Sequence, residues 1–145
     1  MNIPWRTAAV TLLAVILFGG VVRAEPVVQL AFSGVVLQKT ASGAVETMSL
    51  RGLTLHSGQR VRLTVDARNV GTSAALGFEP SAPIPSGTTL VPGSATATDG
   101  APQFSADGTH WTATATPQTR AIRWIVKRPV APRATVRFNY EVIVN

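Results

Sequence analysis

The sequence predicts an all-β fold, an antiparallel β-sandwich preceded by an N-terminal signal helix. Three observations predict it. Apolar and polar residues alternate with period two over several stretches, which places apolar side chains on one face of a strand and polar ones on the other. Glycine, proline and aspartate turns separate these stretches at short intervals, the pattern of a sandwich or barrel. No stretch beyond the N-terminal segment carries a helical apolar period.

The chain opens with Arg6 as its one early cation, and residues 8–22 then form an almost unbroken apolar run. That run is shorter than the ~20 residues a bilayer-spanning helix needs, and it suits the core of a signal peptide. Val22-Arg23-Ala24 supplies the small residue required at the cut. Residues 1–24 are therefore read as a signal peptide and residues 25–145 as a single sandwich domain, exported to the periplasm, the cell surface or the extracellular space, with no transmembrane span after cleavage. Of the 13 lysines and arginines, Arg6 and Arg23 leave with the signal, so 11 face 7 acidic residues, a net charge of about +4. With no cysteine, the core must supply the stability, and no lipid attaches through an N-terminal cysteine.

Along the remaining chain, residues 27–39 are rich in valine, leucine and phenylalanine with Gly34 in the middle, which predicts a long strand broken by a bulge or a bend. Residues 45–50 and 53–55 are shorter strand candidates. The clearest alternation runs over residues 60–69, where Val61, Leu63, Val65 and Ala67 interleave with Arg60, Arg62, Thr64, Asp66 and Arg68. Trp111, Ala113 and Ala115 alternate with Thr112, Thr114 and Thr116, predicting a strand with a threonine face. Ile122, Trp124 and Val126 alternate with Arg123 and Lys127. Last, Val136, Phe138, Tyr140, Val142 and Val144 share one face, opposite Thr135, Arg137, Asn139 and Glu141. Ser57-Gly58, Asn69-Val70-Gly71, Pro85-Ser86-Gly87, Pro92-Gly93, Asp99-Gly100 and Asp107-Gly108 supply the reversals.

Several of these blocks together resemble a known family. His56-Ser57-Gly58-Gln59 leading into Val61-Arg62-Leu63-Thr64-Val65 and Asn69-Val70-Gly71, then the block from Pro85-Ser86-Gly87-Thr88 to Pro92-Gly93-Ser94, then Phe104-Ser105-Ala106-Asp107-Gly108 with Trp111, Ile122-Arg123-Trp124 and Arg137-Phe138, resemble the conserved-repeat domain of bacterial surface proteins, the domain of unknown function numbered eleven. The likeness covers about residues 55–144. It departs from the family at Ser81-Ala82-Pro83, where an aspartate is usual, and in carrying one copy where tandem copies are usual. The resemblance implies an immunoglobulin-like fold and a non-enzymatic surface or secreted module.

The residues themselves offer little for catalysis. His56 and His110 are the only histidines, each beside a turn, with no nucleophile motif near them. Two histidines this far apart, without cysteine, make no zinc motif. Glu79, Asp99 and Asp107 lie in loops but lack the alternating spacing of a calcium loop. No cofactor is expected. Trp111, Trp124, Phe138 and Tyr140 fall on the apolar phase of their strands and are read as core. Arg60, Arg62 and Arg68 on one strand, with Arg120, Arg123 and Lys127 on another, together offer a basic contact face for an acidic polysaccharide, a phosphate or anionic lipid heads, against the simpler reading of a solvated sheet face. Nucleic acid is not expected, since its recognition calls for a stronger basic excess with aromatics on the same face.

These readings lead to a non-catalytic exported module of the bacterial envelope that acts by contacts with another envelope protein or a glycan. One alternative is a periplasmic assembly or accessory protein that accepts a partner strand at a sheet edge, for which residues 27–39 are long enough. A second is a small hydrolase accessory, which needs a pocket joining His56 or His110 to a carboxylate such as Asp66 or Asp107.

Overall fold

The computed structural model describes residues 25–145; residues 1–24, read from the sequence as a signal peptide, lie outside the described residues. Among the described residues there are nine strands and no helix: β1 Val28–Lys39, β2 Val45–Ser49, β3 Arg60–Asn69, β4 Ser81–Pro83, β5 Thr88–Leu90, β6 Thr96–Ala97, β7 Ala101–Ser105, β8 Ala121–Ile125 and β9 Thr135–Val144. All pairings are antiparallel. One sheet runs β2-β1-β3-β9-β5, with β6 also against β9, and the other runs β4-β8-β7.

The alternation dictates how the sheets meet. Val61, Val65 and Ala67 of β3 and Val136, Phe138, Tyr140, Val142 and Val144 of β9 are buried on one face, and Ile122 and Trp124 of β8 are buried opposite them. Trp124 lies between the sheets, its ring 4.9 Å from that of Phe138 and 6.1 Å from that of Tyr140. Each such ring pair adds about 1 kcal/mol beyond the area it buries. Tyr140 also donates its hydroxyl to the Pro83 carbonyl at 2.9 Å, which ties β9 to β4.

Asn69, the last residue of β3, is wholly buried. Its amide donates to the carbonyls of Ser73 and Val130, both at 2.8 Å, while its side-chain oxygen accepts the N–H of Gly71 at 3.0 Å and that of Val27 at 3.4 Å. A buried amide satisfied at every position fixes its surroundings. Here it joins the start of β1, the turn after β3 and the loop before β9. At the sheet crossover, Gly100 has φ +103°, and a Cβ there would stand 2.8 Å from the Ile125 carbonyl oxygen. Only glycine turns the chain from β6 into β7 at that distance.

Three strand expectations need correction. β1 pairs with β3 residue for residue from Val28↔Asn69 to Leu37↔Arg60, so Gly34 marks no bulge. A Cβ on Gly34 would lie 2.5 Å from Leu50 Cδ1 and 2.9 Å from Leu63 Cδ2; the glycine makes room for the chain leaving β2. Residues 53–55 are no strand but part of that crossover, with Leu55 buried. Residues 111–116 form no strand either, apart from a single bridge between Thr112 and Phe104. Local bonds hold the segment instead: Thr112 Oγ1 donates to the Thr114 carbonyl, and the Thr116 N–H donates to Thr119 Oγ1. Trp111 accordingly leaves the core and lies on the outer side of the smaller sheet, beneath the Arg123 guanidinium at 4.6 Å.

Candidate functional site

The two sheets divide the six candidate cations. Arg60, Arg62 and Arg68 occupy the outward phase of β3 in the larger sheet. Arg123 occupies the outward phase of β8 in the smaller sheet, with Arg120 before that strand and Lys127 beyond its end. The six therefore do not form one basic face, because the core lies between the two sets. Arg123 is also engaged: its guanidinium donates to Gln103 Oε1 at 2.8 Å and to Glu79 Oε2 at 3.1 Å and covers Trp111. It fastens the loop before β8 to its sheet. Arg120 donates to the carbonyl of its neighbour Thr119.

The larger sheet's outer face is built by the register of β3 on β9. Arg62 stands opposite Glu141, Thr64 opposite Asn139, and Asp66 opposite Arg137. At one end, Arg60 Nε donates to Glu141 Oε2 at 2.6 Å, and Arg62 donates from Nη2 at 2.8 Å and from Nε at 3.1 Å to Oε1. The Glu141 side chain is 12% exposed, while those of Arg60 and Arg62 are about half exposed. The carboxylate thus lies at the base and the guanidiniums at the surface. In the middle, Thr64 Oγ1 donates to Asn139 Oδ1 at 2.7 Å. At the other end, Arg137 holds Asp66 through two parallel bonds, Nε to Oδ1 at 2.7 Å and Nη2 to Oδ2 at 2.9 Å, the fork geometry that arginine favours. The Asp66 carboxylate raises the Arg137 guanidinium above its already high ordinary value. Arg68, next to this pair, has no acidic partner among the described residues.

Two depressions open on this face. One of about 500 Å³ is lined by Arg60, Arg62, Ser94, Thr96, Asn139 and Glu141. The other, about 450 Å³, is lined by Gln29, Asp66, Arg68, Thr135 and Arg137 among others. Sequence reasoning does not group Arg137 and Glu141 with the β3 arginines, although both stand in the polar phase of the last strand. Combining the exposed phases of the two longest alternating strands is the signal that finds them.

The histidines sit elsewhere. Asp107 Oδ1 accepts the N–H groups of Thr109 and His110, both at 2.8 Å, and Oδ2 lies 2.5 Å from His110 Nδ1. Above all the His110 N–H, then its imidazole and the Thr109 N–H, hold the Asp107 carboxyl well below the ordinary carboxylate range. The hydrogen bond to Asp107 and its charge raise His110 above the ordinary 6.5. The His110 side chain is 88% exposed, so this pair shapes a solvated turn. Ser105 Oγ donates to Asp107 and accepts the N–H of Gly108 rather than reaching the imidazole. Asp66 is held by Arg137, and His56 offers its backbone N–H to Gln59 Oε1. Glu79, Asp99 and Asp107 are likewise separate: Asp99 accepts the Arg128 N–H, and Glu79 pairs with Arg123. Among the described residues no three metal-ligating side chains converge, and no helix is long and apolar enough to cross a membrane.

Compared with known families, curated proteins and solved structures, the chain matches none of them.

Proposed function

We propose that the chain is a non-catalytic, exported module of the bacterial cell envelope or extracellular space, an immunoglobulin-like sandwich that acts by protein or glycan contacts. The outer face of the larger sheet carries this reading. It presents Arg60, Arg62, Arg68 and Arg137 to solvent around Glu141 and Asp66, with two open depressions rather than an enclosed pocket. A face of this kind suits recognition of an extended surface better than conversion of a small substrate, which calls for a concave, mostly apolar site. The signal-like segment and the resemblance to the conserved-repeat domain of surface proteins support the same reading. The test is to express the full chain in a bacterial host, fractionate the cells, sequence the N-terminus and crosslink the product in place. Export with a new N-terminus at Glu25 and capture of a wall glycan or an envelope protein is the expected result. An uncleaved cytosolic product overturns the reading.

A second reading, acceptance of a partner strand, is favoured by one specific observation. β2 pairs with β1 only at residues 35–39, so the opposite edge of residues 28–34 carries no strand among the described residues. Phe32, on the core side of that stretch, remains 40% exposed. A strand added there would cover it while pairing the free backbone. Crosslinks confined to residues 28–34 support this alternative.

A further inference from the structure

The two ends of the larger sheet's outer face repeat one arrangement. Arg60 and Arg62 share Glu141. At the far end, Arg137 pairs with Asp66 and Arg68 stands beside them. Each group holds two guanidiniums against one carboxylate, so each keeps one uncompensated positive charge. From Arg62 to Arg68 the ordinary strand rise gives a separation of about 20 Å. Between the groups the face is uncharged and hydrogen-bonding: Ser33, Thr64, Asn139 and Thr96 follow one another across β1, β3, β9 and β6.

The unused donors point the same way. Arg60 binds Glu141 through Nε alone, and Arg62 through Nε and Nη2. Both arginines line the depression that Ser94 and Thr96 complete. Ser94 is itself held, donating to the Val91 carbonyl at 2.7 Å and accepting the Glu141 N–H at 2.9 Å. This end is thus pre-organised. An anionic group entering it meets guanidinium donors already fixed in place by a carboxylate, which lowers the ordering entropy of binding.

We infer that this face binds a linear acidic polysaccharide laid along β3 and β9, with one carboxylate or phosphate of the glycan at each arginine group and sugar hydroxyls on the Thr64–Asn139 belt between them. The inference rests on the contact-module reading and names its ligand class. A polymer is favoured over a single anion because two weak sites joined by one ligand reinforce each other only when the ligand spans them. A glycan is favoured over an anionic bilayer because the strip between the cations offers hydroxyl and amide groups, with no aromatic or long apolar side chain to enter lipid. A single-stranded nucleic acid would ask for aromatic stacking partners, and among the described residues Trp111, the one partly exposed tryptophan, lies on the other sheet.

The test is to express the full chain, purify the processed product, and titrate it with oligogalacturonates graded in length. The same oligomers methyl-esterified, and phosphatidylglycerol vesicles, serve as the other arms. Affinity is expected to rise once the oligomer exceeds about 20 Å and to fall with added salt. The esters should not bind. Arg68→Gln, which removes no ion pair, and the double variant R60Q/R62Q should each weaken the long oligomer about tenfold while leaving short ones nearly unaffected. Equal binding of the esters, no dependence on length, wild-type affinity in Arg68→Gln, or vesicle binding without oligomer binding each overturns the inference. Export together with crosslinking to a protein alone overturns the glycan and leaves the module; failure of export overturns the module itself.

Discussion

The hydroxyl of Tyr140 lies 2.9 Å from the carbonyl oxygen of Pro83, a polar bond between β9 in the centre of one sheet and β4 at the margin of the other. Burial pushes this phenol well above its ordinary value of 10. A raised folded-state value contributes stability that is complete below pH 10 and is lost as pH climbs above it.

Tyr140 is the sole tyrosine of the chain, so tyrosinate absorbance reports on this group alone. On alkaline titration the absorbance should rise together with loss of the folded circular dichroism signal. Tyr140→Phe should lower stability at neutral pH by about 1 kcal/mol, removing the donor of the part-buried bond to Pro83, and should unfold less steeply above pH 10. A tyrosinate signal that appears at pH 10 in a still-folded protein contradicts this.

Replacing Asn69 by alanine removes two donated and two accepted bonds at a wholly buried position, although the Val130 carbonyl keeps the Ala75 N–H. A loss of about 3 kcal/mol is expected, measured by urea denaturation. Hydrogen exchange should show the start of β1 opening first, since the Val27 N–H meets Asn69. A loss below about 0.5 kcal/mol, the scale of an ordinary surface change, would show that Asn69 is not the hub described.

His110 should titrate above 6.5 by NMR, and Asp107→Asn should return its midpoint toward that value. Two opposite shifts define a window. The raised imidazole contributes below pH 6.5 and loses its effect as pH rises through its folded-state value, while the lowered carboxyl contributes above 3.8 and loses its effect as pH falls. The pair therefore helps most between those values. Both groups are exposed, so the effect on global stability should be small.

Phe32→Lys places a charge on the core side of the free β1 edge. It should cost about 1–2 kcal/mol of stability, because the half-covered ring no longer shields apolar surface from water, and abolish any crosslink to residues 28–34. Persistence of that crosslink counts against strand addition.

The long strands are legible because ten residues of alternation leave no other periodicity; β3 and β9 begin and end where the pattern does. β4, β5 and β6 have two or three residues each, too few to show a period, and their order in the sheets comes from distant pairing. Trp111 is misplaced by the pattern for a related reason. Its alternation with threonine is genuine, but the Thr112 hydroxyl turns to the nearby Thr114 carbonyl and no neighbouring strand completes the pattern. The phase of each arginine is readable, whereas its sheet is not. Thr64 and Asn139 are 75 positions apart in the chain, and nothing local announces that β3 lies beside β9. The carboxylates that divide the arginines into two groups become visible only with that adjacency.

The margins of the two sheets differ in what they allow. β4 carries Pro83 with Pro85 close behind it, and both fall in the backbone phase directed away from β8, since the intervening Ile84 N–H is the one donated to Arg120. β7 carries Pro102, and Phe104 of that strand is already bridged to Thr112. β5 is three residues long. Residues 28–34, by contrast, contain neither proline nor charge, two common guards of a strand edge. Beside β2, whose five exposed residues include the charged Glu46, residues 28–34 are the margin that offers least resistance to an incoming strand, and such a strand would extend the row that β2 begins on β1.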